Sequence, residues 1–127
     1  MQKILVVDDE PAVRGFVRDS LRAANFEVIE AKSGTDALAM IRSSKPEIVL
    51  LDIRMPGMDG MEVLRHVRKI PASKSLPVIF LTGTTLEVDE LVLALELDPS
   101  DIMTKEVSSR ELVARIRWVL RRPGNQT

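Results

Sequence analysis

The chain contains 127 residues, of which 45% are hydrophobic and 29% are charged. This length fits one domain with its own core, and no apolar run approaches the roughly 20 residues of a membrane span. The formal net charge of −1 argues against non-specific nucleic-acid binding, and the lack of cysteine excludes disulfides and thiolate ligands. No secretory signal pattern follows Met1, so we expect a cytoplasmic protein that contacts neither nucleic acid nor membrane directly.

An acidic loop separates the first predicted strand from the first predicted helix. The apolar run Lys3–Val7 predicts a buried strand, and the three acids Asp8–Glu10 follow it directly. Pro11 suits the first turn of a helix, which extends to about Asn25. Its buried stripe is predicted to contain Val13, Phe16, Val17 and Leu21. A nucleotide-binding domain would need glycines in this loop, so the alternatives are a solvated acidic loop and a cation site.

A second strand and helix follow the first pair. Glu27–Ala31 is short and partly alternating, which predicts a strand near an edge of the sheet. Gly34 interrupts the chain before a helix marked by Ala37 and Ile41. This helix is predicted to end near Ser44, because a proline follows two residues later.

The third strand ends in an aspartate. Residues 48–51 are four consecutive aliphatics, as expected of a strand buried on both faces, and Asp52 follows at once. Such an aspartate can simply cap a helix, but ligands of open α/β sheets bind beyond the carboxyl ends of the strands. Proline and glycine within residues 56–60 predict an irregular turn before a helix that stops before Pro71. His66, the single histidine, is predicted to lie on the surface of that helix.

The fourth strand brings a hydroxyl to the same edge. Residues 77–81 are mostly apolar and lead into Thr82, and residues 87–97 predict a helix. One face of this helix carries Val88, Leu91, Val92 and Leu95, and the nearly opposite face carries Leu86, Leu93 and Leu97. A helix that is apolar on two sides favours an outer surface that a partner covers, although isolated exposed leucines are common.

A short fifth strand, residues 101–104, delivers Lys105 to the edge where the acids lie. The last helix is predicted from about Ser108 to Arg122, with Pro123–Gly124 ending it and Trp118 outside its inward arc. That tryptophan either covers the rim of the core or contacts a partner. The inward side chains are predicted to be Leu112, Val113, Ile116 and Val119.

Alternating strands and helices predict one parallel sheet with helices on both faces. The topology then gathers five polar residues at one edge: Asp8, Asp9, Asp52, Thr82 and Lys105. Crowded carboxylates require either raised pKa values or a bound cation, and Mg²⁺ prefers such oxygen ligands together with phosphate. An aspartate can act as the nucleophile in phosphoryl transfer, with a lysine and a hydroxyl on the phosphoryl oxygens.

These motifs resemble the receiver domains of two-component response regulators, over nearly the whole chain. The motifs match in order and spacing: Val7-Asp8-Asp9-Glu10, Leu51-Asp52-Ile53-Arg54-Met55-Pro56-Gly57-Met58-Asp59-Gly60, Leu81-Thr82-Gly83 and Thr104-Lys105. The resemblance implies a flavodoxin-like, doubly wound sheet in strand order 2-1-3-4-5. We expect a receiver domain at residues 1–122 and a tail or the start of a linker at residues 123–127.

The resemblance also implies a function for each site residue. Asp52 would accept a phosphoryl group from the phosphohistidine of a sensor histidine kinase or phosphotransfer protein. Mg²⁺ would be bound by Asp9, Asp52 and the backbone carbonyl of Arg54, with Asp8 acting through water. Lys105 and Thr82 would contact the phosphoryl group. The chain would thus be a phosphoacceptor that assists its own phosphotransfer and dephosphorylation, rather than an enzyme acting on other substrates.

Two positions depart from the family pattern. Ile102 occupies a fifth-strand position that is usually aromatic, so it cannot give the usual ring movement that accompanies that of Thr82. Glu106 follows Lys105 where the family commonly has a proline after a cis peptide bond. Because a cis bond before a non-proline residue costs about 2.5 to 4 kcal/mol, we predict a trans Lys105–Glu106 bond.

The expected output is a switch of the surface formed by the fourth helix, fifth strand and fifth helix. We predict that this surface, which could form a homodimer, includes Leu93, Leu97, Ile102 and Trp118. Two other functions stay open. One is an interaction module that does not need phosphorylation. The other is an aspartate-nucleophile phosphohydrolase, although Arg54 stands where those enzymes have a second aspartate and the chain has no cap domain.

Overall fold

A computed structural model describes residues 1–83 and 86–122. Within these residues, five strands alternate with five helices along the chain. The elements are β1 (Lys3–Val7), α1 (Pro11–Ala23), β2 (Glu27–Ala31), α2 (Gly34–Ser44), β3 (Ile48–Asp52), α3 (Gly60–Lys69), β4 (Val78–Thr82), α4 (Val88–Glu96), β5 (Asp101–Thr104) and α5 (Ser109–Arg121). None of the helices in these ranges is long and apolar enough to cross a membrane. The predicted stop at Pro123–Gly124 lies outside the described residues.

The strands form one sheet in the order β2-β1-β3-β4-β5, and every neighbouring pair is parallel. This is the predicted flavodoxin-like topology, with β2 at an edge as its alternating pattern indicated. β3 and β4 are buried along their whole length, which explains their unbroken apolar sequences. The sheet therefore needs helices on both faces.

Two hydrophobic cores cover the two faces of the sheet. Successive residues of β3 point into different cores. Leu50 lies in the core below α1 and α5, and Leu51 lies in the core below α2, α3 and α4. Phe80 is fully buried in the second core. Complete burial of such a side chain stabilises the fold by about 1.5 to 3 kcal/mol, so both core layers contribute to stability.

The structure corrects one sequence prediction about a helix face and settles another that the sequence left open. Phe16 was expected in the buried stripe of α1 but is 43% exposed, because the helix turns its inward face towards Val17 and Leu21. In α4 the face that contacts the sheet contains the fully buried Ala94, with Leu97 packed nearby. The other face is exposed and contains Val88, Leu91, Val92 and Leu95. Hydrophobicity could not distinguish two apolar faces, and the structure shows that Ala94 is on the buried one.

Arg68 joins three parts of the fold through main-chain carbonyls. Its guanidinium donates to Leu76 O at 2.6 Å and Asp98 O at 3.0 Å, with longer bonds to Leu97 O and Lys74 O. Burial lowers the pKa of Arg68, and Asp98 opposes that shift. The side chain thereby ties α3 to the segment before β4 and to the end of α4.

We expect Arg68→Met to lower the free energy of unfolding by about 2 kcal/mol, because the part-buried carbonyls of Leu76 and Leu97 lose a charged donor while the apolar stem is kept. Arg65→Met on the same helix is a matched control, since Arg65 is exposed and should change stability by less than about 0.5 kcal/mol. Urea unfolding measures both. Equal effects of the two substitutions would contradict this assignment.

Candidate functional site

The carboxyl edge of the sheet collects side chains from four strands. Asp52 is the last residue of β3 and Thr82 the last of β4, while Asp8 and Lys105 directly follow β1 and β5. The strand register aligns these ends, since Val7 pairs with Leu51, Asp52 with Leu81 and Thr82 with Thr104. Parallel pairing alone therefore brings together residues that are far apart in the sequence.

Four carboxylates form a cluster at this edge. One oxygen from each of Asp8, Asp9, Glu10 and Asp52 lies within 4.8 Å of the others. Asp8 and Asp52 are fully buried, with exposures of 0% and 2%, whereas Asp9 and Glu10 are exposed. The cluster thus has a buried floor and a solvent-facing rim, and its buried charges require compensation.

Lys105 supplies part of that compensation. Its Nζ lies 3.0 Å from Asp8 Oδ2, 3.2 Å from Asp52 Oδ2 and 2.8 Å from Glu10 Oε1. Burial lowers the pKa of Lys105, but its hydrogen bond to Glu10 and its close ion pairs with Asp8 and Asp52 outweigh that effect, so the pKa is raised overall. The ammonium therefore stays charged over the physiological pH range.

Each buried aspartate has one oxygen that is bound to the backbone and one that is not. Asp8 Oδ1 accepts from Glu10 N at 2.9 Å, and Asp52 Oδ1 accepts from Arg54 N at 3.3 Å. Both Oδ2 atoms lie close to the lysine ammonium, yet neither accepts a well-aligned hydrogen bond from the described residues. Such buried oxygens are suited to a further cation or donor.

Burial raises the pKa of Asp52 to about 7, and the nearby Asp8 carboxylate acts in the same direction. Lys105 and the Arg54 amide oppose that rise but do not cancel it. One lysine therefore does not neutralise the floor of the cluster. The imbalance favours additional positive charge at the site.

Gly60 fixes the shape of the loop that follows Asp52. A Cβ at this position would overlap the backbone of Asp52, and the Gly60 amide donates to Ile53 O at 2.9 Å. Asp59 then caps α3 by accepting from Glu62 N. The cap of α3 is thus Asp59, which rules out the simplest structural function for Asp52.

The loop after β5 confirms the prediction about the Lys105–Glu106 peptide bond. The peptide bonds of the described residues include no cis bond, so the Lys105–Glu106 bond is trans as predicted. Lys105 N donates to Thr82 O at 2.8 Å, which ties the lysine to the end of β4. Thr82 is 3% exposed, and Ile102 is half-buried against the core below α4.

Most residues proposed from the sequence lie together in this site. Asp8, Asp9 and Asp52 belong to the carboxylate cluster, with Lys105 beside it and Thr82 at the adjacent strand end. The Arg54 side chain is not part of the cluster. Its Nη2 donates hydrogen bonds of 2.8 and 2.6 Å to the two carboxylate oxygens of Glu90 at the start of α4.

Sequence reasoning missed the part that Glu10 plays. It placed Glu10 in the acidic loop but did not pair it with Lys105. The signal was present, because three successive acids at a strand end place one carboxylate near whichever cation occupies that edge. Which acids of Asp8–Glu10 reach Lys105 depends on the turn after β1, in which the Glu10 amide donates a hydrogen bond to Asp8 Oδ1.

Fold and site together define a flavodoxin-like α/β protein with an acidic site and a lysine at the carboxyl edge of its sheet. The model of the response regulator receiver domain family matches residues 4–117. The chain belongs to this family, whose members are signalling modules rather than classical enzymes.

Solved structures support the same assignment. A Chloroflexus aurantiacus J-10-fl protein has a TM-score of 0.89 at 32% identity, with 95% of this chain and 98% of that chain covered. A response regulator receiver domain protein from Clostridium thermocellum has a TM-score of 0.88 at 28% identity, with both chains covered completely. The BeF3-activated N-terminal receiver domain of Klebsiella pneumoniae RstA has a TM-score of 0.85 at 32% identity, with 95% and 100% covered.

Proposed function

We propose that this receiver domain is a Mg²⁺-dependent phosphoacceptor. Asp52 receives the phosphoryl group from a phosphohistidine on a sensor histidine kinase or a phosphotransfer protein in the cytoplasm. The observation that carries the proposal is the buried Asp52 carboxylate, whose Oδ2 lies 3.2 Å from Lys105 Nζ within a cluster of four acids. A buried aspartate beside a fixed ammonium is suited to nucleophilic attack on phosphorus.

The donor set fits Mg²⁺. This hard cation takes oxygen ligands and is usually held by one or two carboxylates with waters and phosphate oxygens. Asp8 Oδ2 and Asp52 Oδ2 are buried without an aligned hydrogen bond, which supports an additional cation at the cluster. We propose that Asp9, Asp52 and the Arg54 carbonyl bind the ion and that Asp8 acts through water. Bound there, Mg²⁺ would neutralise charge on the carboxylates and on the incoming phosphoryl oxygens.

Asp52, Lys105 and Thr82 each contribute to the phosphoryl transfer in a different way. An oxygen of the Asp52 carboxylate attacks phosphorus, the bond to the histidine nitrogen breaks, and the imidazole leaves with that electron pair. An acyl phosphate on Asp52 results. Lys105, already between Asp52 and Asp8, stabilises charge on the phosphoryl oxygens, and the hydroxyl of Thr82 donates to another of them.

Residues 1–122 constitute this domain in our proposal, and residues 123–127 form a tail or the start of a linker.

Incubation with acetyl phosphate tests this function. With Mg²⁺, intact-protein mass spectrometry should show the mass of one added phosphoryl group, and a chelator should abolish the addition. The RstA receiver domain is described as BeF3-activated, so beryllofluoride is a suitable second probe here. Repeated turnover of a phosphate ester would instead favour a phosphohydrolase. No response to either probe would favour an interaction module that works without phosphorylation.

The output surface is proposed to lie on α4, β5 and α5. Leu93 and Trp118 are 48% and 55% exposed, and the Arg122 guanidinium lies 4.6 Å from the centre of the Trp118 ring. The other two proposed members, Leu97 and Ile102, are half-buried and pack on the core. Access to these two therefore depends on movement of α4, whereas the first two are exposed already.

We expect Leu93→Glu and Trp118→Ala each to weaken self-association of the beryllofluoride-treated protein by about tenfold, because each removes exposed apolar area from one face. Phe16→Glu on α1 is a matched control, since Phe16 is 43% exposed but lies on another helix. Sedimentation equilibrium with and without beryllofluoride measures the effect. Unchanged association and unchanged partner binding in both α4–α5 variants would remove this surface from the proposal.

A further inference from the structure

A cleft of about 440 Å³ lies at the end of the sheet opposite the acidic site. It is lined by residues from the last turns of α2 and α3 and by the segments that lead into β3 and β4. Asp52 and Thr82 stand at the carboxyl ends of the same two strands. The cleft is therefore separate from the proposed phosphorylation site, and its volume lies within the range of small-molecule sites.

The inner wall of the cleft is apolar. Ile41 and Val67 are 7% and 1% exposed, and the half-buried Leu76 continues this surface. Side chains of this kind accept a hydrocarbon chain or an aromatic ring, with a gain of about 25 cal/mol for each Å² of apolar area removed from water.

The rim of the cleft is positively charged. The cations Arg42 and Lys45 line it together with the His66 side chain, and no acidic residue does. Among the described residues, none of these three forms an ion pair. Cations near helix C-termini are favoured by the helix dipole, which accounts for the position of Arg42 and Lys45 at the end of α2. The dipole does not account for an apolar cleft directly below them.

We infer that this cleft binds a small amphipathic carboxylate, such as a medium-chain fatty acid. The hydrocarbon part packs against Ile41, Val67 and Leu76, and the carboxylate lies at the rim between Arg42 and Lys45. Charge complementarity selects the anion, because the lining offers cations without competing acids. The ligand bridges the ends of α2 and α3, which also pack against each other.

Nuclear magnetic resonance of the ¹⁵N-labelled full chain tests the inference, with octanoate as the probe and 1-octanol as its uncharged counterpart. Octanoate should give saturable amide shifts at Val67, Ser73 and Leu76 with a dissociation constant of about 1 mM or below. Octanol should bind at least about threefold more weakly. Absence of saturable shifts at these positions, or equal binding of the two compounds, would overturn the inference.

Paired charge variants separate a built site from general attraction to a basic surface. Arg42→Gln combined with Lys45→Asn should weaken octanoate binding about five- to tenfold and leave octanol within about twofold. Asparagine suits position 45, because that residue has a positive φ of 48°. Arg65→Gln combined with Lys69→Gln removes two exposed charges from α3 outside the cleft, and binding should be unchanged. Equal losses in both double variants would overturn the site.

A variant that blocks the cleft gives an independent readout. Ala72 is exposed at the rim, so Ala72→Phe should place a ring over the opening without disturbing the cores. Octanoate binding should fall at least about tenfold, while circular dichroism and the thermal midpoint stay at the values of the unaltered chain. Retained binding in this folded variant would contradict the location.

Discussion

Asp52→Asn is expected to lower phosphoryl incorporation from acetyl phosphate to less than about one hundredth of the unaltered level. The amide cannot supply the anionic oxygen that attacks phosphorus. Asparagine has nearly the same shape as aspartate, so the buried position at the end of β3 is retained. Intact mass after a fixed incubation with Mg²⁺ measures the loss, and hydroxylamine should remove the group from the unaltered protein because an acyl phosphate is labile to it.

Asp19→Asn is the matched control for this experiment. Asp19 is 72% exposed on α1 and pairs only with its neighbour Arg18 among the described residues, so its substitution should leave incorporation unchanged. Undiminished incorporation in Asp52→Asn, with the phosphoryl group mapped to another residue, would show that Asp52 is not the acceptor. The fold and the family assignment would stand in that case.

In a chelator at pH 8, Asp52→Asn is expected to raise the free energy of unfolding by about 2 to 4 kcal/mol. Burial and the neighbouring Asp8 raise the pKa of Asp52 from 3.8 to about 7, so the folded protein binds a proton that the unfolded chain releases between these values. This stabilising contribution is complete below about pH 4 and is lost as the pH rises through about 7. Above that pH the folded state contains an ionised, poorly compensated carboxylate that the variant lacks. Because solvent at the rim of the cluster screens part of this electrostatic penalty, the expected increase in the free energy of unfolding extends down to about 2 kcal/mol.

Urea unfolding from pH 5 to pH 8 measures this contribution. The stability difference between variant and unaltered protein should be smaller at pH 5 than at pH 8, with most of the change between pH 5 and pH 7 and little change above about pH 7.5. Mg²⁺ should stabilise the unaltered protein at pH 8 by an amount that rises with the logarithm of its concentration above the dissociation constant, and Asp52→Asn much less. A difference that is constant with pH, or equal stabilisation of both proteins by the ion, would contradict the electrostatic account of the cluster.

The fold was predictable because its sequence signals are local and redundant. The apolar runs at β3 and β4 predicted buried parallel strands, and the alternation at β2 predicted an edge. The right-handed crossover rule then left few topologies. The site followed from the same logic, since a polar residue after each strand must lie at the common edge.

The helix faces show where local signals are insufficient. In α1 the apolar stripe was wide enough to include Phe16, and only the packing angle against the sheet exposes that ring. In α4 both faces are apolar, so periodicity could not identify the buried one. In the structure the buried face is the one that contains Ala94, which packs in the core below α2, α3 and α4. Which face packs on the sheet is a property of the packed pair and not of the helix sequence.

By itself, the sequence determined the order and type of the elements, the edge of the sheet where Asp52 and Lys105 meet, and the trans bond before Glu106. Only the tertiary structure decided that Glu10 shares Lys105, that two carboxylate oxygens are buried without an aligned donor, and that a cationic cleft opens at the opposite end. The physical reason is the sequence distance over which each property is set. Strand and helix patterns depend on a few neighbouring residues, whereas burial and charge compensation depend on side chains that the fold brings together from distant parts of the chain.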